Sequence, residues 1–127
     1  MAEAVLDASA ALAFLRNEPG AEVVAAIASR AIMSCANAAE VIGKLIARGA
    51  TAEDAARALD LVPCVIVGID VEMGLAAGRL ASRTIPRGLS LGDRLCIALA
   101  QREGLPVLTT DRPWAELDLG VDVRLIR

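Results

Sequence analysis

Ala4-Val5-Leu6-Asp7-Ala8-Ser9-Ala10-Ala11-Leu12-Ala13-Phe14-Leu15 is the stretch on which the fold turns. Three apolar residues make a short buried strand, Asp7-Ala8-Ser9 suits the opening of a helix, and Ala10 to Leu15 continues as an apolar helical run. Pro19-Gly20 then breaks it. The same alternation recurs down the chain. A helix is expected around Glu22 to Ser29, a strand near Ala31 to Ser34, and a helix from about Ala36 to Arg48 ended by Gly49. Thr51-Ala52-Glu53-Asp54 has a capping-box start for a helix reaching about Leu61. Val65-Ile66-Val67 is a β-branched strand between Pro63 and Gly68, and Asp70 caps a helix running from Val71 to about Arg83. After a loop at Ile85-Pro86-Arg87-Gly88, Ser90 opens a helix to about Glu103, ended by Gly104. Pro106 to Thr109 is the next strand, and Val121 to Ile126 supplies the last.

Short apolar strands alternating with helices predict a single α/β domain over residues 1–127, a three-layer α/β/α sandwich around a mostly parallel sheet of about five strands. At 127 residues there is room for one such core. The 56% hydrophobic content is spread over short runs, none near the ~20 residues of a membrane span. Glu3 and Asp7 precede any basic residue, the wrong charge order for a secretory signal, so the chain reads as cytoplasmic and without a membrane partner.

Composition removes several kinds of chemistry. The chain has no histidine, and Cys35, Cys64 and Cys96 form no CxxC pair, which excludes the usual zinc sites and the Ser-His-Asp and Cys-His schemes. Any catalysis runs on carboxylates or a metal. A net charge of −3 and a sequence pI near 4.9 are not the footprint of bulk electrostatic binding to nucleic acid, so contacts to a substrate must be local. All the basic residues but Lys44 are arginine, the side chain suited to bidentate contact with phosphate or carboxylate. Phe14 and Trp114 are too few aromatics for a base-stacking platform.

In a parallel sheet, strand C-termini and helix N-termini share one rim, and ligands bind there near the switch in strand order. Asp7 directly follows the first strand, Asp111 follows the fourth by way of Thr109 and Thr110, and Asp93 lies in the first turn of the helix opened by Ser90. Glu40 sits early in the helix after the second strand, with Asn37 one turn before it, and can lean toward the first strand. Taken singly, each acid has an ordinary explanation. Asp7 caps a helix, Ser90-Leu91-Gly92-Asp93 is a capping box, Asp111 before Arg112-Pro113 is a turn residue, and Glu40 pairs with Lys44. Joint placement on one rim favours a shared site, because crowded carboxylates call for a compensating cation. An oxygen-only donor set suits Mg²⁺ or Mn²⁺. Arg94 and Arg112, each next to one of the acids, are candidates for phosphate contact or for surface ion pairs with those acids.

Four blocks also resemble a known family: Val5-Leu6-Asp7-Ala8-Ser9-Ala10, Ala39-Glu40-Val41, Ser90-Leu91-Gly92-Asp93-Arg94-Leu95-Cys96 and Leu108-Thr109-Thr110-Asp111-Arg112-Pro113-Trp114. Their order and spacing resemble PIN-domain ribonucleases, specifically VapC-type toxins of VapBC toxin-antitoxin pairs. The resemblance implies a metal-dependent endoribonuclease acting on RNA, inhibited by a VapB-type antitoxin and dimeric. By position, it makes Asp7 and Asp93 principal metal ligands, with Glu40 and Asp111 completing an acidic quartet and Ser9 and Thr110 as supporting hydroxyls. Asn37 stands where the family more often has a hydroxyl residue. Phe14, Leu15 and the second helix are positions for antitoxin contact or for core packing. A catalytically silent PIN-like module that holds RNA or protein is the alternative, against which the presence of all four acids argues. A phosphoacceptor receiver domain fails for want of an acidic pair after the first strand and a late lysine. A haloacid-dehalogenase-type phosphatase fails because Ser9 stands where its second Asp belongs.

Overall fold

The computed structural model describes all residues, 1–127. Five strands, β1 (Ala4–Leu6), β2 (Ala31–Ser34), β3 (Val65–Val67), β4 (Val107–Thr109) and β5 (Val123–Leu125), form one sheet in the order β3-β2-β1-β4-β5. Every pairing is parallel. Around it lie α1 (Ala8–Leu15), α2 (Ala21–Ile27), α3 (Cys35–Ala47), α4 (Ala52–Asp60), α5 (Val71–Arg79), α6 (Ala81–Thr84) and α7 (Leu91–Glu103). No helix is long and apolar enough to cross a membrane.

Strand side chains alternate between faces, and that period of two divides the core. Ala4, Leu6, Ala31, Met33 and Leu108 pack under α1 to α4, while Val5, Ile32 and Val107 pack under α5 and α7 with the buried Trp114. These are the three layers expected from the alternation of strands and helices. Alanines line the inner faces of α1 and α7, so both helices settle close to the sheet. Gly20 caps α2 at φ +97°, where a Cβ would stand 2.7 Å from the carbonyl of Ile126; the break after α1 is therefore also the seat of the C-terminal segment.

Two elements differ from expectation. The helix expected to run from Val71 to about Arg83 stops at Arg79, where the Leu80 amide turns back to Ala77, and a short α6 and a 3₁₀ turn over Ile85–Arg87 follow. Pro86 sits at the start of that turn, where its missing N–H is tolerated. The last strand is shorter than Val121 to Ile126 because its ladder is limited to the three residues of β4, Val107 to Thr109.

The chain builds β1, β2 and β3 outward in one direction and then returns to place β4 on the other side of β1. This reversal puts the switch point between β1 and β4, and the crevice there opens at the ends of both strands, beside Leu6 and Thr109.

Candidate active site

Asp7 leaves β1 with extended backbone and caps α1. Its Oδ1 accepts from the Ala10 amide at 2.8 Å and the Ser9 hydroxyl at 2.7 Å, and its Oδ2 from the Thr109 hydroxyl at 2.6 Å. Capping and site placement are thus one geometry. Thr109, fully buried at the end of β4, also receives the Asp111 amide at 3.0 Å on the same oxygen. Ser9 in turn receives the Thr110 amide at 2.9 Å. The β1 and β4 ends are thereby stitched together across the switch point, with Asp7 between them.

Glu40 projects from α3 and is held by Asn37. The Asn37 side chain is completely buried, takes the Ser34 hydroxyl on Oδ1 at 2.9 Å, and donates from Nδ2 to Glu40 Oε1 at 2.8 Å and to the Gly92 carbonyl at 3.3 Å. Asn37 therefore orients Glu40 and ties α3 to the start of α7. Gly92 lies against the Glu40 carboxylate, since a Cβ on Gly92 would clash with Oε1 and meet Cδ at 2.7 Å. Glu40 forms no ion pair with Lys44.

Asp93 closes the capping box of α7, its Oδ2 accepting from the Ser90 amide at 2.9 Å while its own amide donates to Ser90 Oγ at 3.2 Å. Asp111 precedes the 3₁₀ turn Arg112–Glu116, makes no side-chain cap there, and leaves its carboxylate free of protein partners. All four acids face one cleft of about 560 Å³, together with Ser9, Lys44, Ser90 and Thr110. None of the four has an arginine or lysine ion-pair partner. No three of the side chains close tightly enough to enclose an ion unaided.

Burial first, and crowding second, set the electrostatics. Burial pushes the Asp7 carboxyl from 3.8 up to about 6, against its three hydrogen bonds and with a further push from Asp93. Asp93 is raised as well, mainly by burial and also by Asp111, with Lys44 opposing. Cys96, one turn along α7 from Asp93, is buried beneath the acids; burial first, then Asp7, Asp93 and Glu40, hold its thiol well above the ordinary range. It is a core residue in a field of carboxylates and does not line the cleft.

The profile for the PIN domain matches residues 4–119. The chain belongs to the PIN-domain family. Three solved structures illustrate how far the likeness extends. A DNA-bound VapBC complex from Salmonella typhimurium is 20% identical over 100% of both chains with a TM-score of 0.74. A toxin-antitoxin complex from Klebsiella pneumoniae is 17% identical over 98% of each chain at 0.75. VapC20 from Mycobacterium tuberculosis, a Sarcin-Ricin loop cleaving toxin, is 14% identical over 90% of this chain and 95% of its own, at 0.71. At these identities the likeness is one of fold. No curated protein sequence matches.

Within this PIN domain, the positions singled out from sequence fall unequally. Asp7, Glu40, Asp93, Asp111 and Ser9 line the cleft, and Asn37 lies behind Glu40. Thr110 lines it too, but it supports the site through its amide, and the hydroxyl that reaches Asp7 belongs to Thr109. Strand parity carried that signal: β1 and β4 pair Val5 with Val107 and Leu6 with Leu108, so the next register step sets Asp7 beside Thr109. Arg94 and Arg112 do not line the cleft and pair with none of the acids; Arg112 donates to the carbonyl of Arg127, and Arg94 keeps a buried Nε without a partner. The cation at the cleft is Lys44.

Proposed function

We propose that this PIN domain is a metal-dependent endoribonuclease and the toxin of a toxin-antitoxin pair. One observation carries the reading: Asp7, Glu40, Asp93 and Asp111, from four separate segments, share a cleft whose one cation, Lys44, forms an ion pair with none of them. Placing carboxylates together with little counter-charge is unfavourable, and the Asp7 and Asp93 carboxyls, raised first by burial, are pushed further by their acidic neighbours. The donors are all oxygen and do not by themselves form a complete cage, which fits Mg²⁺ or Mn²⁺, ions that take one or two protein carboxylates and fill the remaining positions with water and substrate phosphate.

Asp7 and Asp93 would hold the ion, with Glu40 and Asp111 completing the acidic set. When bound, it supplies a water of lowered pKa and charge neutralisation at the scissile phosphate. The chain's own residues do the positioning. Ser9 and Thr109 fix both oxygens of Asp7, so its carboxylate needs no reorientation when the site is loaded. Asn37 occupies Oε1 of Glu40 and leaves Oε2 as the atom free to accept a proton from the attacking water.

The solved complexes with similar folds support an antitoxin as the partner. An antitoxin arginine entering the cleft would replace the missing positive charge and silence the site. The chain acts as a homodimer in this reading, and exposed Leu61 and Val65 at the edge strand β3, with Val71 and Leu75 exposed on α5, provide apolar surface for it. The direct test is cleavage of RNA by the purified chain with and without Mg²⁺, beside Asp7→Asn and Asp93→Asn. Cleavage that needs Mg²⁺ and is lost in both variants is expected. Metal-independent cleavage, or full activity in both variants, would sink the reading, and Mg²⁺ binding with no cleavage of broad RNA pools would instead favour a silent binding module.

A further inference from the structure

A second hollow adjoins the acidic cleft. It holds about 430 Å³ and is lined by Arg16, Lys44, Arg48 and Arg127, with Glu18 the one acid among them. Ser9, Lys44 and Thr110 line both hollows, so the two are successive reaches of one trough. Its charge changes sign along its length, from four carboxylates to four cations. Arg16, Lys44 and Arg48 form no ion pair anywhere in the chain, and only Arg127 is compensated, by Glu18 at 3.4 Å. Arg16 also keeps a buried Nη2 without a hydrogen-bond partner. In a chain of net charge −3, several adjoining cations left without counter-charge are the mirror image of the acids beside them.

We propose that this groove is the track for the backbone phosphates on one side of the scissile bond, with Arg16 and Arg48 as its phosphate-contacting residues. The assignment rests on RNA being the substrate of the acidic cleft. A polyanion brought to four carboxylates is repelled unless positive charge lies close by, and the groove supplies it immediately past Lys44, at the junction. Guanidinium groups match phosphate oxygens in a bidentate way. No aromatic side chain lines the groove, so it offers no stacking platform and grips the backbone without reading bases.

The test titrates the full chain, in EDTA so that no cleavage occurs, with a fluorescein-labelled single-stranded oligoribonucleotide over a range of KCl. Arg16→Gln with Arg48→Gln removes two phosphate contacts. The slope of log K against log salt should shrink by about 1.4, and affinity near physiological salt should fall roughly ten-fold. Arg48→Gln alone, at an exposed position, should give about half the slope change and guards against a folding defect at Arg16. With Mg²⁺ present, the double variant should show its loss mainly as a raised KM. Unchanged slope and affinity overturn the groove while leaving cleavage at the acidic cleft intact. A chain that binds RNA through Arg16 and Arg48 yet never cuts it keeps the groove and overturns the nuclease. Displacement of the RNA by an oligo-glutamate peptide at lower concentration than by inorganic polyphosphate reassigns the groove to an acidic protein segment.

Discussion

Asp7→Asn should stabilise the metal-free protein, and more at pH 8 than at pH 5. Asp7 is 3% exposed, has no ion-pair partner, and titrates near 6 in the fold against an ordinary 3.8. Below 3.8 both the folded and unfolded chains hold the proton, and the group does not oppose folding. Between 3.8 and about 6 only the folded chain holds it, so stability falls as pH rises; above about 6 the carboxylate is charged in both states and the loss is complete. That loss is worth about 3 kcal/mol at pH 8, and roughly half of it at pH 5. Asparagine fits the same frame. Its oxygen keeps the Ala10 amide and Ser9 hydroxyl, and its amide donates to Thr109 Oγ1, whose own hydrogen turns to Ser9 Oγ at 3.3 Å. Urea unfolding in EDTA, followed by fluorescence of the buried Trp114, measures both proteins at both pH values. The gap between them should widen by roughly 1 kcal/mol or more from pH 5 to pH 8. A gap independent of pH, or an asparagine variant less stable at pH 8, would refute the claim that an uncompensated charge is buried here.

Mg²⁺ should raise the wild-type melting temperature more at pH 8 than at pH 5, by scanning calorimetry, because the ion binds the ionised acids; the effect should vanish in Asp7→Asn. Thr109→Val removes the hydroxyl that bonds Asp7 Oδ2 and receives the Asp111 amide, so it should destabilise by about 1–3 kcal/mol. It should also shift the acid limb of the cleavage profile to higher pH, since the lost bond had favoured the charged form of Asp7. Gly92→Ala lies within helix α7, where alanine is favoured by about 1 kcal/mol, yet its Cβ evicts the Glu40 carboxylate. Cleavage should fall at least roughly ten-fold with the melting temperature unchanged or higher, a separation that a simple packing defect would not give.

The fold and much of the site were legible because they follow from local rules. Val5-Leu6-Asp7-Ala8-Ser9 reads as strand, cap and helix whatever surrounds it, and Ser90 to Asp93 carries its capping box in its own spacing. Residues whose roles depend on what lies opposite were harder to read. Thr109 looks like an ordinary β-branched strand residue until the β1–β4 register sets it beside Asp7. Gly92 resembles filler between Leu91 and Asp93 until Glu40, far away in the chain, is seen to lie on it. Asn37 in sequence is a neighbour of Glu40 one turn away and a departure from a family pattern; its burial and its three side-chain hydrogen bonds define it as the brace between α3, Glu40 and α7. The cationic groove was illegible for the same reason, since Arg16, Arg48 and Arg127 come from distant segments that only the tertiary fold brings together.

Under the proposed function, water activated at the cleft of Asp7, Glu40, Asp93 and Asp111 cleaves an RNA phosphodiester. Analysis of the cleaved ends in parallel Mg²⁺ and EDTA reactions tests it most directly. Attack by water yields phosphomonoester and hydroxyl ends in the Mg²⁺ reaction alone, without passing through the neighbouring 2′-hydroxyl. Ends bearing 2′,3′-cyclic phosphate, or cleavage that persists in EDTA, would contradict it.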